Sequence, residues 1–169
     1  MEEFGLIPQK GLARLFTSAS PLQMHEDEDK LHRRIEILLA EDNPADVRMM
    51  QEALFLAEIR HNLAVVTDGE EALLYLNRQG QYINATRPDI VLLDIKLPKI
   101  SGHEVLHGIR HHPDLHTLPV MMLTSSAAPQ DRDTSERLQA THYVTKPVGL
   151  HQLAGEVKII NALVKRSGV

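Results

Sequence analysis

Cysteine is absent from the 169 residues, which excludes a disulfide framework and any thiolate chemistry. No apolar run approaches the ~20 residues that a membrane-spanning helix needs. Basic charge is not in excess either. Lys and Arg number 18 against 23 Asp and Glu, a formal net charge of −5, whereas a general nucleic-acid binder normally carries a basic stripe. The opening Met1-Glu2-Glu3 has no basic n-region or apolar h-region, so no secretory signal is expected and the cytoplasm is the expected compartment. There is no internal repeat, and one domain with a substantial core is the expectation at this length.

What is present is organised around Ile90-Val91-Leu92-Leu93-Asp94. Four apolar residues run into one carboxylate. A run of this kind, apolar on both faces, predicts a central parallel strand, bracketed by Pro88 and Pro98 as proline brackets strands. In open α/β sheets ligands bind beyond the carboxyl ends of the strands, which is where Asp94 falls.

Residues 1–32 read as a tail. Phe4, Leu6, Ile7, Leu12, Leu15 and Phe16 are interrupted by Pro8 and Gly11, an acidic run occupies 26–29, and Met24 offers an alternative start. From residue 33 onward strands and helices alternate. Strands are predicted at 35–40, 63–67, 90–94, 120–124 and 142–145. Helices are predicted to open after Asn43-Pro44, Asp68-Gly69 and Gly102, at about Pro129, and after Gly149. Asn43 reads as a cap with Pro44 at the first helical position, and Asp68 and Glu71 have capping-box spacing. Five β-α units predict a flavodoxin-like, doubly wound parallel sheet of order 2-1-3-4-5 with helices on both faces.

The polar residues that end these strands are Glu41 and Asp42, Asp94, Thr124 and Lys146. One sheet edge should gather them. Three close carboxylates call for protonation or a cation among them. Hard oxygen donors suit magnesium, which would clamp an incoming phosphoryl group. Lys146 would add a charge on the far side of that group, Thr124 a hydroxyl donor, and Asp94 an oxygen nucleophile. Each residue also has an ordinary reading: first-turn acids for Glu41 and Asp42, a strand-end hydroxyl for Thr124, a solvated amine for Lys146, and core packing for Tyr143. Their joint placement favours the site.

With these residues the chain resembles a response-regulator receiver domain of two-component signalling over 33–169. The matching features are Glu41-Asp42, Asp94 with Leu97-Pro98 and Gly102, Leu123-Thr124-Ser125, and Tyr143 with Lys146-Pro147. Asn43-Pro44-Ala45-Asp46, the 79–87 loop and Asp114-Leu115 are similar to the stand-alone regulators paired with bacterial phytochromes. The resemblance implies that Asp94 accepts phosphate from a sensor histidine kinase, here of phytochrome type. It implies that Glu41, Asp42, Asp94 and the backbone carbonyl of Lys96 hold Mg2+. It makes Thr124 and Tyr143 a switch pair, puts Lys146 on the phosphoryl oxygens, and implies a cis bond before Pro147. The expected protein is a signalling phosphoacceptor rather than an enzyme, with no nucleic-acid or membrane partner and no output domain after the last helix. A homodimer is expected through the fourth helix, fifth strand and last helix. A stripe of Leu150, Leu153, Val157, Ile160 and Val164 in one continuous helix would leave Ile159 and the edge residue Leu163 partly in water.

Two other classes compete. An aspartyl-nucleophile phosphatase of the haloacid dehalogenase group wants a second acid two residues after the nucleophile, where this chain has Lys96. A flavodoxin-like FMN carrier wants a Ser/Thr/Gly-rich loop after the first strand, where Glu41-Asp42 would repel a phosphate. Among ten histidines, His103, His107 and His111 recur every four residues. They read as a solvated helix face, because no cysteine supports a transition-metal site.

Overall fold

Four-residue apolar runs set the first four of five strands in the computed structural model, which describes residues 33–125, 128–146 and 149–166. The elements are β1 Ile35–Ala40, α1 Pro44–Leu56, β2 His61–Val66, α2 Gly69–Leu76, β3 Ile90–Asp94, α3 Gly102–His111, β4 Val120–Thr124, α4 Pro129–Arg137, β5 His142–Thr145, α5 Leu150–Val157 and α6 Ile160–Arg166. A 3-10 turn, Gly80–Tyr82, lies in the loop before β3. All neighbouring strands pair in parallel, in the order β2-β1-β3-β4-β5, as the sequence predicts. The expected tail at 1–32 and the bond before Pro147 lie outside the described residues. Among the described residues no helix is long and apolar enough to cross a membrane.

Alternation along the strands divides the core in two. Ile37, Leu39, Leu92, Met121 and Val144 face α1, α5 and α6. Leu38, Ala40, Leu93, Val120 and Met122 face α2 and α3. Every residue of β3 and β4 is buried, which is why these two strands read as continuous apolar runs. The register then aligns the site. Ala40 pairs with Leu93, Asp94 with Leu123, and Thr124 with Thr145, so Glu41, Asp94, Thr124 and Lys146 end their strands at nearly one level.

Local caps fix where the helices begin. Asn43 Oδ1 accepts from the Ala45 N–H at 3.0 Å, with Pro44 at the first position. Asp68 Oδ1 accepts from the Glu71 N–H at 2.8 Å. The returning half of that box is displaced by one residue, since Glu71 Oε2 accepts from the Thr67 N–H at 3.1 Å. A complete capping box belongs to α3, where Ser101 and Glu104 bond each other reciprocally. Gly102 is therefore the first helical residue rather than the residue preceding the helix.

The C-terminal helix corrects one expectation. It breaks at 158–159 into α5 and α6. The Ile159 N–H bonds back only three residues, to the Glu156 carbonyl, and this tightened turn re-phases the second half. Leu163 consequently joins Ile160 and Val164 in the core, and Ile159 is half-buried against the same cluster. The exposed apolar pair expected to mark a dimer face is not there.

Asp68 also forms an ion pair with Lys99 Nζ at 2.8 Å. That ammonium, and then the Glu71 N–H, hold its carboxyl below the usual 3.8. A depressed carboxylate stabilises the fold above its unfolded-state pKa, and that contribution is lost as pH falls through the folded-state pKa. Asp68→Ala should cost about 1 kcal/mol at neutral pH, as the loss of a cap does. In urea melts across a pH series, the gap to wild type should hold above pH 3.8 and close below it.

Candidate functional site

Three carboxylates meet one ammonium at the carboxyl edge of the sheet. Glu41, immediately after β1, is 2% exposed, and Asp94, the last residue of β3, is 5% exposed. Lys146 follows β5, and its backbone N–H donates to the Thr124 carbonyl. Its Nζ lies 2.6 Å from Glu41 Oε2, 2.8 Å from Asp46 Oδ2 and 3.2 Å from Asp94 Oδ1. The free Glu41 oxygen accepts from the Asn43 N–H at 3.1 Å. Asp94 Oδ2 accepts from the Lys96 N–H at 2.9 Å.

Lys146 therefore stands among the acids and balances part of their charge. Burial pushes the Glu41 carboxyl up, the Lys146 ammonium and Asn43 N–H oppose that, and the Asp94 charge adds to it. Burial by itself would lower the Lys146 pKa. The bonds to Asp46 and Glu41 and the charge of Asp94 outweigh it, so the ammonium is held well above its ordinary value and stays protonated.

Oxygens of Glu41, Asp42 and Asp94 lie within 4.8 Å of one another. All are hard donors, and Asp42 is exposed, leaving a side open to water. That combination fits magnesium, which keeps several of its waters. The fourth expected ligand, the Lys96 carbonyl, belongs to the residue whose N–H already holds Asp94.

Thr124 is fully buried at the end of β4. The pKa of the half-buried Tyr143 phenol is raised by burial, with the neighbouring Thr124 side chain opposing. On α4, the Arg132 guanidinium carbon sits 5.8 Å from the Tyr143 ring centroid. Thr124, Tyr143 and Arg132 are thus neighbours.

The histidine face is only partly solvated. His107 and His111 are exposed and stacked at 4.0 Å, but His103 Nε2 lies 3.0 Å from Ser135 Oγ of α4. No histidine joins the acidic cluster, which is the candidate metal group among the described residues.

Asp46 is the site residue that sequence reasoning did not single out. Its signal was an acid in the first turn of the helix that follows β1. Such an acid favours the helix N-terminus by itself, which concealed its second role as a partner of Lys146.

Residues 37–158 match the response regulator receiver domain. The chain belongs to that family. Response regulator Rcp1 of Synechocystis sp. is 44% identical over 117 residues, 69% of this chain and 80% of that protein. The phosphorylated cyanobacterial phytochrome response regulator RcpA has a TM-score of 0.72 at 41% identity, covering 81% of this chain and 98% of its own. The Mn2+-bound form of Rcp1 has a TM-score of 0.69 at 41% identity, covering 76% and 92%. This receiver domain is therefore related to regulators of phytochrome signalling, and the phosphatase and FMN-carrier readings give way to that assignment.

For this receiver domain the acidic cluster makes a binding prediction. Asp42→Ala should weaken magnesium binding by calorimetry about tenfold or more, since losing even an outer-shell partner typically costs that much. Lys146→Ala should not weaken it, because removing the ammonium relieves like-charge repulsion of the ion. Equal losses in both variants would contradict the geometry.

Proposed function

We propose that this receiver domain accepts a phosphoryl group on Asp94 from a sensor histidine kinase of phytochrome type. Glu41, Asp42, Asp94 and the Lys96 carbonyl would hold Mg2+. The observation that carries this reading is Asp94 at the end of the central strand, 3.2 Å from the Lys146 ammonium and within the acidic cluster. Bound magnesium supplies charge neutralisation and a clamp for phosphoryl oxygens.

An Asp94 carboxylate oxygen bonds to phosphorus as the donor's P–N bond breaks. The electron pair stays with the donor's imidazole, which leaves neutral because its other nitrogen carries a proton. The Lys96 N–H orients the carboxylate for attack. Lys146 takes up charge on the phosphoryl oxygens, and Thr124 supplies its hydroxyl. Positioning and electrostatics of this kind are the main protein contribution to phosphoryl transfer. The Thr124–Tyr143 pair would then report the modification to α4 and β5. The product is a signalling state rather than a released compound.

Incubation with phosphoramidate and magnesium should add one phosphoryl mass to the wild type and none to Asp94→Asn. Equal labelling of that variant would sink the assignment. Pairing of two chains through α4, β5 and α5 is the accompanying proposal, and the resemblance to phytochrome regulators supports it. Sedimentation velocity should show a dimer that phosphorylation tightens. A phosphorylated protein that stays monomeric at high concentration would end it.

A further inference from the structure

We propose that Asp46 is a positioning residue that holds Lys146 back from the phosphoryl group and so slows phosphorylation of Asp94; the inference rests on the phosphoacceptor reading above. An ammonium has three hydrogens. Two of those of Lys146 bond carboxylates, Glu41 at 2.6 Å and Asp46 at 2.8 Å, while Asp94 lies 3.2 Å away in an ion pair. A phosphoryl oxygen on Asp94 must share the ammonium with both bonded acids.

The three partners are not equivalent. Glu41 and Asp94 belong to the cluster whose oxygens lie within 4.8 Å of one another, and Asp46 does not. Glu41 and Asp94 would share their charge with a metal ion held there. Forming the acyl phosphate then consumes the carboxylate charge of Asp94. Asp46 is left with its full charge at every stage, and it competes with the phosphoryl oxygens for the same ammonium.

Two further features favour competition over simple support. The Asp46 side chain is 30% exposed and that of Lys146 is 17% exposed, so the pair is screened less than a surface salt bridge. Asp46 is also fixed in place, in the first turn of a helix capped by Asn43 and begun by Pro44.

The test uses the full chain, phosphoramidate and saturating magnesium, with phosphorylation followed by mass. In the reaction an Asp94 oxygen bonds to phosphorus, the P–N bond breaks, and ammonia leaves from the nitrogen-protonated donor. Asp46→Asn should react about tenfold faster than wild type, the scale of one hydrogen bond to a charged group. Asp46→Glu, which keeps the charge, should return the rate toward wild type. The gain should persist at about 1 M salt, where the Debye length falls to ~3 Å. A gain that vanishes in salt would reduce Asp46 to long-range repulsion of an anionic donor, and the proposal fails. A merely structural Asp46 predicts a slower, less stable Asn variant, which would also overturn it. If Asp46→Asn does not fold, Asp46→Gln takes its place under the same criteria. Wild type that reacts at the same rate as Asp46→Asn sinks this inference alone; wild type that does not react at all sinks the phosphoacceptor reading with it.

Discussion

One ammonium among three carboxylates sets the terms for the rest of this structure. Taking charges out of water costs several kcal/mol each, and mutual attraction offsets that cost only where geometry is good. Here the geometry comes from the sheet. Parallel pairing in a single register brings Glu41, Asp94 and Lys146 to one edge, and α1 adds Asp46 from its first turn. The apolar core beneath does not need these charges. β3 and β4 are buried along their whole length and would pack as well with neutral ends. The fold therefore supports a charged cluster that does little for its own stability, which is the kind of local inconsistency expected at a functional site.

The two sides of the site are held by different means. On the side of β2 and β3, backbone meets backbone. A Cβ on Gly102 would fall 2.1 Å from the Asp94 carbonyl oxygen, and one on Gly69 would fall 1.9 Å from that of Ile100. The Gly69 N–H donates to the Pro98 carbonyl at 3.2 Å. Lys99, between Pro98 and Ile100, adopts a left-handed φ of 64° while its side chain bridges Asp68 and Glu70. The loop that leaves Asp94 is thus gripped by the loop after β2. On the opposite side α4 buries only Ser135, which meets His103 across 3.0 Å. A helix docked by polar contacts opens at lower cost than one docked by apolar packing. Backbone packing lies next to the acids, and a polar helix lies next to Thr124 and Tyr143.

The sequence made the sheet legible because four of its strands carry a short apolar run between turn formers, and β-α alternation leaves few topologies. It made Glu41, Asp42, Asp94, Thr124 and Lys146 legible as a group because strand ends share an edge. Asp46 was hidden because it comes from a helix, where an acid in the first turn already has a local explanation. The Ser101–Glu104 box was hidden behind Gly102, a residue that looks like a helix boundary until the Asp94 carbonyl is seen against it. The break at 158–159 was not legible at all. Helical periodicity continues through it, and only packing on the sheet shows that a tightened turn serves the core better, bringing in Leu163. His103 had the same difficulty. Its polarity signalled solvent, and its partner Ser135 lies 32 residues away.

Thr124 joins the two halves of the site. Its carbonyl accepts the Lys146 N–H, its Cα pairs with Thr145, and its side chain meets the Tyr143 hydroxyl. Lys146 and Tyr143 therefore attach to one buried residue, one through the backbone and one through a side chain. Tyr143 lies three residues before Lys146 on the same strand end, and the Arg132 guanidinium of α4 sits 5.8 Å from its ring centroid. Coupling needs an element with two arrangements that both ends can bias. The half-buried Tyr143 ring, set between a fully buried hydroxyl and an exposed cation on a polar helix, has the placement such an element requires. On the proposed function, charge at Asp94 would reach α4 through Thr124, Tyr143 and Lys146 at the ends of β4 and β5, without recourse to the distant core.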